Sequence, residues 1–268
     1  MSTTTGTATG TVVPTERRVP PLGGFSTTLV GLELRRLLRN RRAVIFTLVM
    51  PSVFFLLFGT DGDYKDQASG AGNLTARIMV SMAVYGAMIA TTSGGAMVAT
   101  ERAVGWSRQL RLTPLNPVAY IAVKALVAMT MGLAAVVAVF VVGSLAGAQL
   151  PLWRLVVCGL LAWVCSLVFA AFGLFMGYLL PSENVMQILG PGLAILSFAG
   201  GLFVPLTEFS HVFATLAKLT PAYGVGELAR APFGGEHDLA LAALNVVAWG
   251  LVFVLGAAWR MSRDTQRV

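Results

Sequence analysis

The sequence Glu101-Arg-Ala-Val-Gly-Trp-Ser-Arg-Gln-Leu-Arg-Leu-Thr-Pro-Leu-Asn-Pro-Val-Ala-Tyr120 is a polar, basic stretch between two long apolar runs. A charged side chain in the hydrocarbon of a bilayer costs about 2.5–3.5 kcal/mol even on lenient insertion scales, so this stretch stands in water. Its apolar residues allow a short amphipathic helix that ends at Pro114 and Pro117, because proline cannot continue the hydrogen-bond ladder. A short helix held between two spans is suited to act as a lever.

The composition places the chain in a membrane. Its 268 residues are 56% hydrophobic and only 12% charged, with a mean hydropathy of +0.76, whereas soluble domains carry about 25% charged residues. A helix needs about 20 residues to cross a hydrocarbon core of about 30 Å. We predict an all-α integral membrane protein whose residues 43–260 form six transmembrane helices: Ala43–Phe58, Ile78–Ala99, Val118–Leu145, Leu155–Leu180, Val185–Val204 and Leu239–Trp259.

The basic residues favour one orientation. With the N-terminus in the cytoplasm, 14 of the 19 lysines and arginines fall on the cytoplasmic side. The positive-inside rule therefore predicts that both termini and the central 101–117 loop are cytoplasmic. No basic groove interleaved with aromatic residues is visible, so nucleic acid is not an expected partner.

The N-terminal region divides into two parts. Residues 1–25 lack periodicity and are predicted to be a disordered cytoplasmic tail, as are residues 261–268 at the other end. Residues 26–42 carry Val30, Leu34 and Leu37 at helical spacing with arginines between them. They predict an amphipathic helix on the inner membrane face, its arginines attracted to anionic lipid. A plain basic flank that only fixes the topology is the alternative.

The segment from Pro205 to Asp238, between the fifth and sixth spans, is not merely polar. Its apolar residues, Phe209, Phe213 and Leu216 among them, recur at helical spacing until Pro221 stops the run. We predict an external amphipathic helix that re-enters or lies on the outer leaflet.

Two patches of small residues predict close helix packing. Gly143 and Gly147 lie in the third span, and Gly173 and Gly177 in the fourth, each pair four residues apart. Small residues at this spacing let helix backbones approach closely. With 29 glycines in the chain, chance matches are equally expected.

The sequence carries no motif for bond chemistry. No Gly-Lys dipeptide exists, which excludes a Walker A phosphate loop, and no His-Glu-x-x-His motif is present. The two histidines are too few for a usual zinc site. No charged residue occupies a span centre, where proton-coupled transporters keep their relay groups. We therefore expect no enzyme activity, no metal and no cofactor on this chain.

Three functions fit such a chain: a structural membrane component, a channel, or the membrane part of a machine driven by another subunit. The basic central loop favours the third, because it can dock on a cytoplasmic partner with Trp106 as an anchor and its charges fixing the register. For Trp106, a residue of the interfacial aromatic belt is the alternative.

In these features the chain resembles the permease subunits of type-2 ABC exporters, the group that includes daunorubicin-resistance permeases and the membrane subunits of some polysaccharide exporters. The resemblance runs from about Ser26 to the C-terminus. It rests on the order of several weak motifs: a Met-Pro pair in the first span, the 101–120 stretch, Lys124, a Gly-Pro pair in the fifth span, the sequence Phe198-Ala-Gly-Gly-Leu-Phe-Val-Pro205, and the sequence Leu219-Thr-Pro-Ala-Tyr223.

The resemblance implies roles for particular residues. Residues 101–112 would be the coupling helix that contacts a separate ATPase subunit, and residues 181–184 a second, smaller contact. The translocation path would lie between two permeases, lined mainly by the second and fifth spans, and the external stripe would seal the outer mouth. The candidate residues are Glu101, Arg102, Gly105, Trp106, Arg108, Arg111 and Glu183 for coupling, Met82, Met97, Met186, Gln187 and Phe198 for the path, and Phe209, Phe213 and Leu216 for the outer gate.

We therefore expect an ATP-driven exporter permease of a bacterial plasma membrane, with ATP and magnesium bound by the partner subunit. A dimer, with itself or with a paralogue, is expected because one six-span copy without internal repeat is present. The apolar candidate path favours a hydrophobic small molecule, such as a drug or antibiotic, or a lipid. The alternatives are an exporter of a glycan or lipid-linked polymer, and a membrane assembly protein without transport.

Overall fold

The computed structural model describes residues 25–105, 116–235 and 238–265. Within these residues the chain is almost entirely helical, with one short hairpin of strands β1, Ala68–Ser69, and β2, Gly72–Asn73. The helices are α1 Thr27–Arg39, α2 Arg41–Gly59, α3 Leu74–Ala103, α4 Pro117–Leu145, α5 Leu152–Cys165, α6 Leu167–Leu179, α7 Ser182–Ala199, α8 His211–Ala217, α9 Pro221–Arg230 and α10 Leu239–Thr265.

Helix α3 forms the centre of the bundle. It packs against α2, α4, α6, α7 and α9, and most of its side chains, from Thr75 to Glu101, are buried. Asn73 caps its first turn by accepting a hydrogen bond from the Ala76 N–H at 2.9 Å, which is a common N-cap arrangement. Because α3 is buried along most of its length, it contacts most of the other helices of the bundle.

Glycines bring α6 against α3. A β-carbon at Gly173 would lie only 2.1 Å from the Thr92 carbonyl oxygen, closer than two such atoms can approach. The Thr91 hydroxyl also donates to the Ser166 carbonyl at 3.1 Å. Gly177 lies similarly against Ala96, and Gly143 of α4 against Met79. The predicted close contacts at Gly143, Gly173 and Gly177 are therefore present.

Four helical segments are long and apolar enough to cross a membrane: Leu74–Ala103, Val118–Leu145, Leu152–Leu179 and Leu239–Arg263. The bent pair α1 and α2 raises the number to five within the described residues. Helix α7, with 18 residues and Pro191 inside it, is not among them. The structure confirms a multi-span helical membrane protein, and the number six stays a prediction.

The external segment contains one more helix than predicted. The apolar stripe forms α8, but Pro221 starts α9 instead of ending the helical structure. Proline is tolerated at the first helical position, where its missing N–H has no partner to lose, and the Thr220 hydroxyl caps the helix by accepting from the Tyr223 N–H. Helix α9 is buried against α5 and α10. The apolar run thus ends before Pro221, at Ala217, but the second helix that Pro221 begins was not predicted.

Candidate functional site

The end of the bundle next to the central loop, which we call the inner end, holds a buried cluster of charges around Glu101, in the last turn of α3. The Glu101 side chain is only 3% exposed. Its carboxylate accepts hydrogen bonds from Arg36 of α1 at 2.9 Å, from Lys124 of α4 at 2.5 Å and from the Tyr120 hydroxyl. One carboxylate thus joins three helices, α1, α3 and α4.

A second carboxylate completes this inner charge cluster, which we define as Glu33, Arg36, Glu101, Tyr120 and Lys124. Glu33 of α1 accepts from the Lys124 ammonium at 2.7 Å, and Lys124 is 5% exposed. Two acids and two bases face one another, so the cluster carries no net charge. A buried ion pair is strongly destabilised when one partner is removed, because the other is left as an uncompensated charge. The cluster therefore holds the three helices in one arrangement.

Arg102 ties the same end of α3 to α6. Its guanidinium donates to the carbonyl oxygens of Gly177 at 3.1 Å and Tyr178 at 3.3 Å, and lies 5.3 Å from the centre of the Tyr178 ring. These carbonyls belong to the last turn of a helix, where they lack intrahelical partners and where positive charge is favourable. Four helices are thus fixed together at the inner end.

Helix α3 ends immediately after these contacts. Gly105 has φ +72°, a left-handed conformation that L-residues with a side chain rarely adopt and that commonly ends helices. At the other side of the central loop, the Asn116 side chain accepts from the Val118 N–H at 2.9 Å and begins α4, with Pro117 at the first helical position. Residues 101–105 and 116–124 are thus two well-defined ends of the loop.

The predicted coupling residues fall into three groups. Trp106, Arg108 and Arg111 lie outside the described residues. Glu101 points inward between α1 and α4 and anchors the loop. It therefore does not lie on a surface that a partner subunit could contact, although such a contact was predicted from the sequence. Glu183 is exposed in the first turn of α7.

The predicted path residues do not share one surface. Met82 is fully buried in the core around α3, so the expectation that it lines a path between two permeases does not fit the structure. Its expected place on the path came from the resemblance, which puts the second span along the path, whereas α3 is enclosed. Met97 packs in a second core with Leu37 and Val123. Gln187 is exposed on α7, and the side chain of Met186 lies outside the described residues.

The structure does bring one path residue into contact with the predicted gate. The Phe198 ring, at the end of α7, lies 6.1 Å from Phe209, and Phe209 lies 4.5 Å from Phe213 of α8. On its other side, Phe198 is 6.3 Å from Phe203. Leu216 is exposed on α8, one turn beyond Phe213. These rings form a continuous aromatic row at the outer end.

Sequence reasoning missed a buried arginine near this row. Arg230, counted there among the external basic residues, is 5% exposed. It donates to the Ser81 hydroxyl at 3.0 Å, to the Gly201 carbonyl at 3.1 Å and to Glu227 at 2.8 Å. Burial raises the pKa of Tyr223, on the same helix, above its usual value, and the charge of Glu227 raises it further. Arg230 links α9 to α3 and to the end of α7.

The charges of both ends therefore serve to join helices. Among the described residues, no group of three or more histidine, cysteine, aspartate or glutamate side chains is placed to hold a metal ion. The contacts join the two ends of the central loop to α1 and α6.

The chain matches a known protein family. The family model described as ABC-2 type transporter matches residues 25–233, which is most of the chain. The chain belongs to this family. It is also 25% identical over 228 residues, covering 83% of this chain and 91% of the relative, to a protein of Bacillus subtilis (strain 168) named "Putative transport permease YvfS".

Membership of the ABC-2 type transporter family confirms the resemblance and makes the chain a transporter membrane subunit. It implies partnership with an ABC ATPase subunit. The sequence indicated Glu101 but neither its partner Arg36 nor Glu33, which pairs with Lys124. A signal for them was available: Glu33 is an acid within a basic amphipathic segment, and Lys124 a lone charge in an apolar run. Two unmatched opposite charges at the same membrane depth predict a pair.

Proposed function

We propose that this chain is the membrane subunit of an ATP-driven exporter and that residues 101–117 couple it to a separate ATPase subunit. The inner charge cluster is the observation that carries the proposal. Glu101 lies just before the central loop and Tyr120 and Lys124 just after it, and their side chains bond one another. Both ends of the loop are therefore part of one buried unit. The absence of a Walker A loop from the sequence supports ATP hydrolysis on another subunit.

Coupling follows from the stiffness of this unit. A loop attached by flexible ends would absorb the movement of a partner, whereas here α1, α3 and α4 are joined by ion pairs, of which the two made by Lys124 are buried. A push on residues 106–115 displaces these helices together. Through Arg102 the displacement also reaches α6. Because α3 contacts most other helices, its shift changes the arrangement of the whole bundle.

The export path forms between two permeases, either two copies of this chain or this chain and a paralogue. The outward face of α7 carries the half-exposed Ile188, Ile195 and Phe198, with Gln187 as a polar neighbour. Such a surface favours a hydrophobic small molecule, such as a drug or antibiotic, or a lipid, and the aromatic row of Phe198, Phe209 and Phe213 closes its outer end. The same rings could stack on sugars, which keeps a glycan or lipid-linked polymer as the second candidate.

This proposal places the protein in a bacterial plasma membrane with both termini in the cytoplasm. The family assignment disfavours the assembly protein without transport. Coupling through residues 101–117 does not depend on which substrate is transported.

Co-expression with ABC ATPase subunits of the same genome tests the coupling proposal. We expect a stable complex with two copies of each subunit and a vanadate-sensitive ATPase activity that falls in the Trp106→Ala variant. Trp153→Ala is the matched control, because Trp153 is exposed at the start of α5, at the opposite end of the bundle from Glu101. A chain that purifies alone, or equal ATPase activity in both variants, contradicts the proposal.

A further inference from the structure

The membrane-embedded surface contains a deep apolar groove that the proposed transport cycle does not use. It has a volume of about 550 Å³ and lies between α3, α4, the end of α5, α6 and α10. Small residues form its floor: Gly95, Ala128, Ala170, Ala171 and Gly250. Val164, Val247, Leu251 and Val254 line it while remaining half exposed, so the groove opens sideways, towards the lipid.

The position of this groove defines what it opens to. The lining residues of α4, α6 and α10 belong to segments that are long and apolar enough to span the membrane. Helix α10 is only 17% buried over its most apolar window and presents most of its surface outward. Acyl chains are therefore the medium in contact with the opening, and water is excluded from it by depth.

The groove has the length and polarity of one lipid chain. Along α10 it extends from Val246 to Ala258, about 18 Å at a rise of 1.5 Å per residue, against about 15 Å for one leaflet of the hydrocarbon core. Its lining is apolar except at one end, where Lys124 and Tyr178 lie. An apolar channel with a polar end matches an amphiphile whose head lies beside the inner charge cluster.

The charge around the polar end favours an anionic head. Lys124 is balanced by Glu33 and Glu101. Further cations lie near this end of the groove. Arg102 contacts the Tyr178 ring. Arg260 and Arg263 follow the lining residue Ala258 in the sequence and pack on Trp259. Tryptophan with arginine is typical of the interface where lipid headgroups lie.

We propose that this lipid groove binds one acyl chain of an anionic phospholipid, with the phosphate held at the end marked by Lys124 and Tyr178. The lipid comes from the leaflet on the side of the inner charge cluster, which is the cytoplasmic leaflet in the orientation proposed above. Bound there, it contacts α4, α6 and α10 and fills the space between them. The site is separate from the path between two permeases, because α7 and the aromatic row take no part in it.

The test uses a residue that can fill the groove without disturbing the backbone. A β-carbon at Gly250 meets only Val168, at an ordinary 3.7 Å, so Gly250→Leu projects a side chain into the groove. Ala248→Leu adds a leucine to the same helix at an exposed position outside the lining and is the matched control. Ala171→Leu fills the groove from α6 and serves if Gly250→Leu does not fold.

Native mass spectrometry of the detergent-purified protein, titrated with phosphatidylglycerol or phosphatidylcholine of equal chain length, measures binding. We expect one tightly bound phosphatidylglycerol per chain in the wild type and in Ala248→Leu, preferred over phosphatidylcholine by about fivefold, the effect of about one basic residue at a membrane surface. In Gly250→Leu, or in Ala171→Leu, the amount of bound phosphatidylglycerol should fall by at least about fivefold. Equal retention in all variants, no preference for the anionic lipid, or displacement of the lipid by transported substrate would overturn the proposal. None of these readouts depends on the ATPase.

Discussion

Glu101→Gln is the most informative single change in the inner charge cluster. The substitution keeps the size of the side chain and one acceptor oxygen, replaces the other oxygen with an NH2 donor, and removes the charge. In the wild type two acids face two bases; in the variant, Lys124 and Arg36 face Glu33 alone. One positive charge is left in excess: Glu33 stays 2.7 Å from Lys124, whose side chain is 5% exposed, but 3.9 Å from Arg36, whose side chain is 46% exposed and partly solvated.

The size of the effect follows from this difference in exposure. Breaking a buried ion pair by removing one partner costs about 3–5 kcal/mol, whereas an exposed pair contributes about 0.2–1 kcal/mol. The pair of Glu101 with Lys124 belongs to the first kind and the pair with Arg36 lies nearer the second. Because Lys124 keeps Glu33 as a partner, we expect a loss at the lower end of this range, about 3 kcal/mol, which is still a large part of the roughly 5–15 kcal/mol that stabilises a typical fold.

Thermal unfolding of the detergent-purified protein, followed by size-exclusion chromatography, measures the change. Glu101→Gln should lower the midpoint clearly, while the same substitution at the exposed Glu183 should not. Adding Lys124→Met to Glu101→Gln removes the uncompensated cation, so the double variant should be more stable than Glu101→Gln alone. If Glu101→Gln unfolds at the same temperature as Glu183→Gln, or if Lys124→Met makes it worse, the cluster does not hold the helices in the way described.

Three further changes test other contacts. Gly173→Ala should destabilise the protein by about 1–3 kcal/mol in the same thermal assay, because its β-carbon would overlap the Thr92 carbonyl and overpacking has this cost. Gly190→Ala is the control and should not destabilise it, because a β-carbon at Gly190 would have no neighbouring atom within 4 Å. Gly105→Val should lower the midpoint by an amount equivalent to about 1–2 kcal/mol of left-handed strain, and no loss would refute the turn. Phe209→Ala should increase ATP-independent dye leakage from proteoliposomes, because it removes the centre of the aromatic row; unchanged leakage would refute the gate.

The sequence predicted those elements whose signal is local. Apolar length marked the spans from Val118 to Leu145 and from Leu239 onwards, and the arginine-flanked stripe marked α1, which the structure bounds at Thr27–Arg39. These features depend on helical periodicity and on the thickness of a bilayer, both of which a single sequence shows directly. Glycine spacing likewise indicated where α3 and α6 approach.

The sequence could not show which faces point at which neighbours. Met82 and Met97 look equally suited to a path, yet one lies in the core of the bundle and the other packs against α1. Pro221 reads as a stop because proline ends helices from within, and only the capping contact of Thr220 shows that it begins one. Glu101 was recognised as functional from its place in the loop, but its inward direction depends on α1, 65 residues earlier in the chain.

We have proposed that a separate ATPase subunit drives this chain through the loop between α3 and α4. A photo-crosslinker placed at position 106 in native membranes detects that contact. Crosslinks are identified by mass spectrometry, with the same label at position 212 of α8 as the control for the other end of the bundle. We expect the label at position 106 to capture an ABC ATPase subunit and the label at position 212 not to. Nucleotide with vanadate should change the yield of crosslinked product at position 106 alone. Capture of only lipid or of the chain itself at position 106, with an ABC ATPase co-expressed, would contradict it.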